Sequence, residues 1–145
     1  MTDLTSDREV LAATIWGEAR GEILSGKRAV AAVIVNRVKA SAGRRQFGDG
    51  TIRGACLAPW QFSCWNEAAA DESQRAALLA LDFSKDDPVI AACGAIADEA
   101  ISGTLVDPTD GCTFYKTTKL PWPKAWGREI PACAIVGHQS FYKLP

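Results

Sequence analysis

The 145-residue chain lacks several features that mark other protein classes. It has one histidine and no Cys-x-x-Cys motif, which excludes a zinc finger or zinc ribbon. Its sequence contains no apolar run approaching the about 18–20 residues of a transmembrane helix. No basic stripe or nucleic-acid-binding motif occurs. We therefore expect a monomeric protein that needs no metal or cofactor, binds no nucleic acid and does not insert stably into a membrane.

The first ten residues, MTDLTSDREV, contain no apolar stretch behind a basic region. This pattern excludes a Sec-type signal peptide. We expect the chain to be made in the cytoplasm, and any action outside it to require release by another factor.

Five cysteines, at positions 56, 64, 93, 112 and 133, are many for a chain of this size. Cys56 and Cys64 bracket a short loop, and Cys112 and Cys133 bracket a possible hairpin. In an oxidising compartment either pair could form a disulfide, and we predict one between Cys56 and Cys64 in the exported protein. The alternative is that all five are reduced and serve as small apolar side chains.

Helical patterns fill most of the chain before residue 103. They predict helices from Ser6 to about Gly21 and over about 25–40, 66–81 and 88–102, with residues 41–65 as a long loop. Two strand-like segments, CTFYKT at 112–117 and GHQSFYK at 137–143, follow. The sequence therefore predicts one domain over 1–145, an α+β fold that is mainly α-helical with a small C-terminal β element.

A glutamate lies on the apolar stripe of the first predicted helix. Leu11, Ile15 and Glu18 recur at helical spacing, so Glu18 shares the face that enters the core. Burial raises the pKa of a carboxyl group, and a carboxylic acid that keeps its proton near neutral pH can donate it to a leaving oxygen. The alternative is a structural carboxylate at the core edge, paired with Arg37 or another arginine. We expect Glu22, beyond the helix end, to be exposed.

Four segments in order resemble the cell-wall hydrolase family that includes the spore-cortex-lytic enzymes of the SleB/CwlJ type. They are WGEARGE at 16–22 with GKRAVAAVIVNRVK at 26–39, APWQFSCWN at 58–66, DPTDGCTFYK at 107–116 and GHQSFYK at 137–143. The resemblance implies a fold related to lysozyme and the lytic transglycosylases. It also implies cleavage of peptidoglycan glycan strands, with the family's catalytic glutamate matched by Glu18.

The sequence departs from the family in two respects. Spore-germination members usually carry a signal peptide and a separate peptidoglycan-binding domain, and neither is found here, which is typical of an endolysin-like phage or prophage lysis enzyme. Asp110 stands where the family often has glycine.

The resemblance implies cleavage of the β-1,4 bond between N-acetylmuramic acid (MurNAc) and N-acetylglucosamine (GlcNAc). We expect lytic transglycosylation, in which Glu18 serves as acid and then as base. The alternative is muramidase-type hydrolysis, which needs a second carboxylate from Asp107 or Asp110. Two other functions stay open: a cysteine amidase or endopeptidase with His138 as base, and a non-catalytic wall-binding module.

Loop aromatic and polar residues provide candidate sugar contacts. Aromatic faces can pack on sugar rings, while polar side chains bind hydroxyl and acetamide groups. The candidates in the family-like blocks and the segment between them are Gln61, Phe62, Ser63, Trp65, Asp107, Tyr115, Trp122 and His138, and Trp60 and Trp126 also lie in non-helical segments. The alternative for each aromatic residue is core packing, and for Asp107 and His138 a structural role.

Overall fold

The computed structural model describes residues 1–145 apart from the side chain of Ala69, and over these residues it has five α-helices and one three-stranded sheet. The helices are α1 (Asp7–Ala19), α2 (Leu24–Ala40), α3 (Ile52–Leu57), α4 (Glu72–Leu79) and α5 (Pro88–Ser102), and the strands are β1 (Phe114–Thr117), β2 (Ala134–Val136) and β3 (Gln139–Tyr142). The predicted mainly helical α+β fold is confirmed. No helix in the described part of the chain is long and apolar enough to cross a membrane.

Helix α1 begins just after Ser6, the predicted start, which caps it. The Ser6 hydroxyl accepts a hydrogen bond from the Glu9 amide at 3.2 Å. The Glu9 carboxylate accepts from the Asp3 amide at 3.2 Å, rather than from Ser6 as a capping box requires. The helix ends at Ala19, two residues before Gly21, the predicted end.

The main core lies among α1, α2 and α5. Leu11 and Ile15 of α1, Val30 and Ile34 of α2, and Ile96 of α5 are all at most 1% exposed. The burial of such side chains is the main favourable term in folding. Since Leu11 and Ile15 fix which face of α1 turns inward, the same stripe carries Glu18 to the edge of the core.

The sheet is antiparallel, with strand order β1-β3-β2. Tyr115 of β1 is paired with Phe141 of β3, and Phe141 packs with Ala29 and Val33 of α2 in a second, smaller core. Strand β2 was not predicted, because three residues after a Pro-rich segment are too few to show an alternating pattern. The sheet thus lies on α2 with β1 at one edge.

Helix α4 is shorter than the helix predicted over 66–81. A tight 3-10 turn at Ser63–Trp65 precedes it, and Asn66 leaves this turn in an extended conformation. Trp65 is 8% exposed and donates its indole N–H to the Thr14 hydroxyl at 2.8 Å. Because this anchor fixes the chain beside α1, regular helix begins only at Glu72.

The predicted disulfide between Cys56 and Cys64 is wrong, because all five cysteines are free thiols. Cys56 and Cys64 are both buried, and each thiol has another partner. Cys56 contacts Thr14, while Cys64 faces Glu18. The two side chains therefore serve as core residues.

The Asp87 cap of α5 gives a test of the fold. Its carboxylate accepts from the amides of Val89 at 2.8 Å and Ile90 at 3.1 Å. Asp87→Ala should destabilise the protein by about 1 kcal/mol, because two amide donors at the helix start lose their partner. Thermal unfolding should show the midpoint falling by about 2–4 °C. The exposed neighbour Asp86→Ala is the control, and equal losses for both variants would contradict the capping role.

Candidate functional site

A cleft of about 760 Å³ opens between the end of α1, strand β1 and the loops around them. Its lining mixes one carboxylate, two guanidinium groups, amides and aromatic rings. The residues are Glu18, Arg37, Arg44, Gln46, Trp60, Gln61, Ser63, Phe114, Tyr115, Pro123, Ala125, Trp126, Leu144 and Pro145. A cleft of this size and composition suits an extended polar ligand with apolar faces.

Glu18 is in the last turn of α1 and faces this cleft. Burial raises the pKa of its carboxyl group, against the opposing effects of Tyr115, Cys64 and Arg37. The Tyr115 hydroxyl donates a 2.5 Å hydrogen bond to Glu18 Oε1. Glu18 is thus a carboxyl group that favours its protonated form and has a fixed orientation.

Two weak acids, Tyr115 and Cys64, lie beside the Glu18 carboxyl group and favour its charged form. Burial raises the pKa of Tyr115 well above its ordinary value, and burial also raises that of Cys64. Both groups therefore keep their protons. Gly17 permits the close approach, since a Cβ there would lie 3.0 Å from the Cys64 Cβ.

Arg37 forms the inner wall of the cleft and is only 4% exposed. It donates from Nε to the Thr113 carbonyl at 2.7 Å and from Nη1 to Gln61 Oε1 at 3.4 Å. Three rings surround its guanidinium group, with centroids 4.8–5.2 Å away: Phe47, Phe62 and Phe114. Burial lowers its pKa to about 10, so Arg37 remains a cation at neutral pH.

Arg44 provides a second cation nearer the opening. Its guanidinium group lies 4.7 Å from the Phe47 ring and 5.4 Å from the Phe114 ring. It also donates to the Leu144 carbonyl at 2.9 Å and to a main-chain carboxyl oxygen of Pro145, the last residue, at 3.0 Å. Arg37 and Arg44 thus place two guanidinium groups in the lining of the cleft that Glu18 faces.

Of the predicted sugar contacts, Gln61, Ser63 and Tyr115 line the cleft. Phe62 lies beneath it, 2% exposed, under the Arg37 guanidinium group. Trp65 is in the core, with its indole N–H bound to Thr14. The structure thus brings three of the predicted residues together around Glu18, and gives the two aromatic residues packing roles.

Trp122 lies behind the cleft rather than on its surface. Its ring packs edge-on against Trp126 at 5.3 Å and Tyr142 at 5.0 Å between centroids. Trp126 lines the cleft itself. Trp122 therefore supports the aromatic wall that Trp126 presents.

Asp107 and Asp110 do not line the cleft. The Asp107 carboxylate binds the Thr109 amide at 2.7 Å and the Asn36 side chain at 2.9 Å. Burial opposes ionisation of Asp107, but these and neighbouring hydrogen bonds lower its pKa overall. Asp110 is 96% exposed and forms a 3.4 Å ion pair with Lys143. Both residues belong to the turn before β1.

The expectation that Glu22 is exposed is wrong, since its side chain is only 10% exposed. Its carboxylate accepts from the His138 amide and is bonded to His138 Nδ1, both at 2.8 Å. Burial opposes ionisation, yet the bonds to His138 lower the Glu22 pKa overall. The His138 side chain is 78% exposed and, like Glu22, does not line the cleft. This pair links the end of α1 to the turn before β3.

Sequence reasoning did not select Arg37, Arg44, Gln46 or Phe114 as site residues. The sequence does mark Arg37 as unusual, because this cation lies on the apolar face of α2, where a buried charge needs partners. No local pattern in the sequence marks Arg44 or Phe114, which are 70 residues apart. Within the described part of the chain, no cluster of three or more His, Cys, Asp or Glu side chains could hold a metal ion.

Comparison with known proteins agrees with this fold. Two solved structures are similar: the catalytic domain of the germination-specific lytic transglycosylase SleB from Bacillus anthracis and that of the Bacillus cereus SleB protein. The first is 26% identical with a TM-score of 0.66, covering 94% of this chain and 93% of the other. The second is 28% identical with a TM-score of 0.64, covering 94% and 89%.

A search of curated protein sequences gave no match. The family model described as Cell Wall Hydrolase matches residues 21–142, which begin just after Glu18. This match spans most of the chain, and the predicted resemblance is confirmed: the chain belongs to the cell wall hydrolase family.

Proposed function

We propose that this peptidoglycan-degrading enzyme acts on the glycan strands of the cell wall, at the β-1,4 bond between MurNAc and GlcNAc. The observation that carries the proposal is Glu18, a carboxyl group whose pKa is raised by burial and which faces a cleft suited to sugars. Glu18 is the general acid in this reaction, and then the general base.

The first step is protonation of the glycosidic oxygen by Glu18. As the bond to the MurNAc C1 breaks, GlcNAc leaves with the proton on its O4, and positive charge develops at C1. Glu18 becomes a carboxylate in the same step. The Tyr115 hydroxyl and the nearby Arg37 cation stabilise that carboxylate, because both favour the charged form. Burial thus keeps the proton until reaction, and the two neighbours assist its release.

The second step uses the carboxylate that the first step creates. Glu18 takes the proton of the MurNAc 6-hydroxyl, and O6 bonds to C1 to close a 1,6-anhydro ring. The proton returns to Glu18, and no water enters. Among the described side chains that line the cleft, Glu18 is the only carboxyl group, so a substrate hydroxyl is the nucleophile that fits.

The remaining cleft residues suit a glycan strand. Trp60 and Trp126 offer aromatic surface, and Gln46, Gln61 and Ser63 offer hydrogen bonds to hydroxyl and acetamide groups. Arg44 adds a cation that can pair with a carboxylate of the substrate's stem peptide.

The alternative of hydrolysis is less well supported. A muramidase needs a second carboxylate about 5–5.5 Å from the acid for retention, or about 6.5–9.5 Å for inversion. Asp107 and Asp110 are in the turn before β1, and their carboxylates are bonded there. The lytic transglycosylase activity stated for the B. anthracis relative also favours the anhydro product.

The cysteine-enzyme alternative conflicts with the state of four of the five thiols, and the fifth, the exposed Cys133, does not line the cleft. Cys56, Cys64, Cys93 and Cys112 are buried, and burial raises the pKa of each, to about 11 for Cys93. The thiolate, not the thiol, is the nucleophile of such enzymes. His138, the predicted base, is bonded through Nδ1 to Glu22.

The first prediction concerns Glu18→Gln. Glutamine keeps the size of the side chain and can still accept from Tyr115, but it has no proton to deliver. Release of soluble fragments from purified peptidoglycan should fall by about 10²–10⁴-fold. Circular dichroism and thermal unfolding should show an intact fold.

Glu22→Gln is the matched control for this experiment. The substituted amide oxygen can still accept from the His138 amide, and position 22 does not line the cleft. Activity should stay within about tenfold of wild type, well short of the loss of a general acid. A folded Glu18→Gln protein with near-normal activity would end the proposal.

The second prediction concerns the products. Mass spectrometry of digested peptidoglycan should show 1,6-anhydromuramoyl ends, which are lighter than hydrolysis products by one water. Asp107→Asn and Asp110→Asn should leave these ends unchanged. Reducing muramoyl ends as the only product, with activity lost in either aspartate variant, would instead establish hydrolysis.

A further inference from the structure

A second cavity, of about 310 Å³, lies next to the cleft and shares Trp60 with it. It is lined by Leu57, Ala58, Pro59, Trp60, Trp65, Asn66 and Glu67. Trp60 therefore forms a boundary between the cleft and the second cavity. The reaction proposed above makes no use of that space.

Trp60 has an unusual backbone conformation for a large residue. Its φ is 65°, in the left-handed region that glycine adopts readily and bulky residues avoid. Its side chain is 75% exposed, so burial does not offset this strain. The Gln61 amide closes the turn by donating to the Ala58 carbonyl at 3.2 Å. Strained residues of this kind cluster at functional sites.

The other walls of the second cavity are fixed and partly polar. The bond from Trp65 to Thr14 locks that indole in place. Asn66 and Glu67 add an amide and a carboxylate, and the Glu67 side chain is 87% exposed, with Arg75 3.7 Å from it. Aromatic surface beside such hydrogen-bonding groups matches a sugar ring with hydroxyl and acetamide substituents.

We propose that the second cavity is a further saccharide subsite, which binds the N-acetylhexosamine unit next to those held in the cleft, with Trp60 packing against the strand between them. This inference rests on the proposed action on glycan strands. It makes Trp60, Asn66 and Glu67 determinants of substrate length.

Charge favours a sugar over the stem peptide as the occupant. Stem peptides carry carboxylates, and among the described residues the lining of the second cavity has no cation, while the nearest guanidinium group named above, that of Arg75, already pairs with Glu67. The cations that suit a carboxylate, Arg37 and Arg44, line the cleft instead. A neutral sugar therefore fits the second cavity, and the peptide branch fits the cleft.

Binding in the Glu18→Gln background tests this subsite without turnover. Calorimetry would measure the affinity of peptide-free glycan oligosaccharides of increasing length. We expect affinity to rise at the length that reaches the second cavity. Adding Trp60→Gly should remove that rise, so that the longer oligomers lose about 3- to 10-fold in affinity beyond whatever loss the shorter, cleft-bound oligomers show. Trp60→Phe should keep most of the rise.

Two controls separate binding from folding. Leu120→Ala removes another exposed apolar side chain, 60% exposed, that lines neither cavity, and should leave all affinities unchanged. Trp60→Gly should not lower the unfolding temperature, because glycine relieves the left-handed strain. A structural role for Trp60 would instead lower stability and affect all lengths equally.

Three results would overturn the subsite: no length step in the parent protein, a step that survives Trp60→Gly, or a Trp60 effect seen only with peptide-bearing fragments. The last would assign the cavity to the stem peptide. Failure of the proposed function has a different signature, namely wild-type protein that releases no glycan fragments from peptidoglycan.

Discussion

The hydrogen bond from the Tyr115 hydroxyl to the Glu18 carboxyl group joins the helical part of the molecule to its small sheet. Glu18 comes from the end of α1 and Tyr115 from β1, 97 residues later. The apolar stripe of α1 fixes one partner, and the packing of the sheet on α2 fixes the other. The cleft exists where these two packing arrangements meet. The core that stabilises the fold therefore also orients Glu18, the general acid that we propose.

The surroundings of Glu18 have opposing effects on the pKa of its carboxyl group, and a general acid needs both. Burial favours the neutral acid, while Tyr115, Cys64 and Arg37 favour the carboxylate. Burial also raises the pKa values of Tyr115 and Cys64. Both groups therefore keep their protons beside Glu18.

Local patterns in the sequence predicted those parts of the site that depend on local structure. The spacing of Leu11, Ile15 and Glu18 was sufficient to place a carboxyl group at the core edge. The exposure of the Glu22 side chain was predicted wrongly, because its partner, His138, is 116 residues away and no local pattern indicates that contact. Arg44 reaches the cleft through contacts with Phe114 and the residues after β3, which again depend on tertiary packing. The disulfide prediction failed because the loop spacing of Cys56 and Cys64 carries no information on where each thiol points.

The most direct test of this account is the titration of Glu18 itself, followed by NMR of its carboxyl carbon. The account predicts a pKa above the ordinary value of 4.5 in the wild-type protein. Tyr115→Phe removes a donor that favours the carboxylate, so the Glu18 pKa should rise further in that variant. The other tyrosine, Tyr142, provides the matched control, and Tyr142→Phe should leave the pKa unchanged. A wild-type pKa at or below 4.5, or a fall in Tyr115→Phe, would contradict the central claim that burial holds the catalytic proton on Glu18.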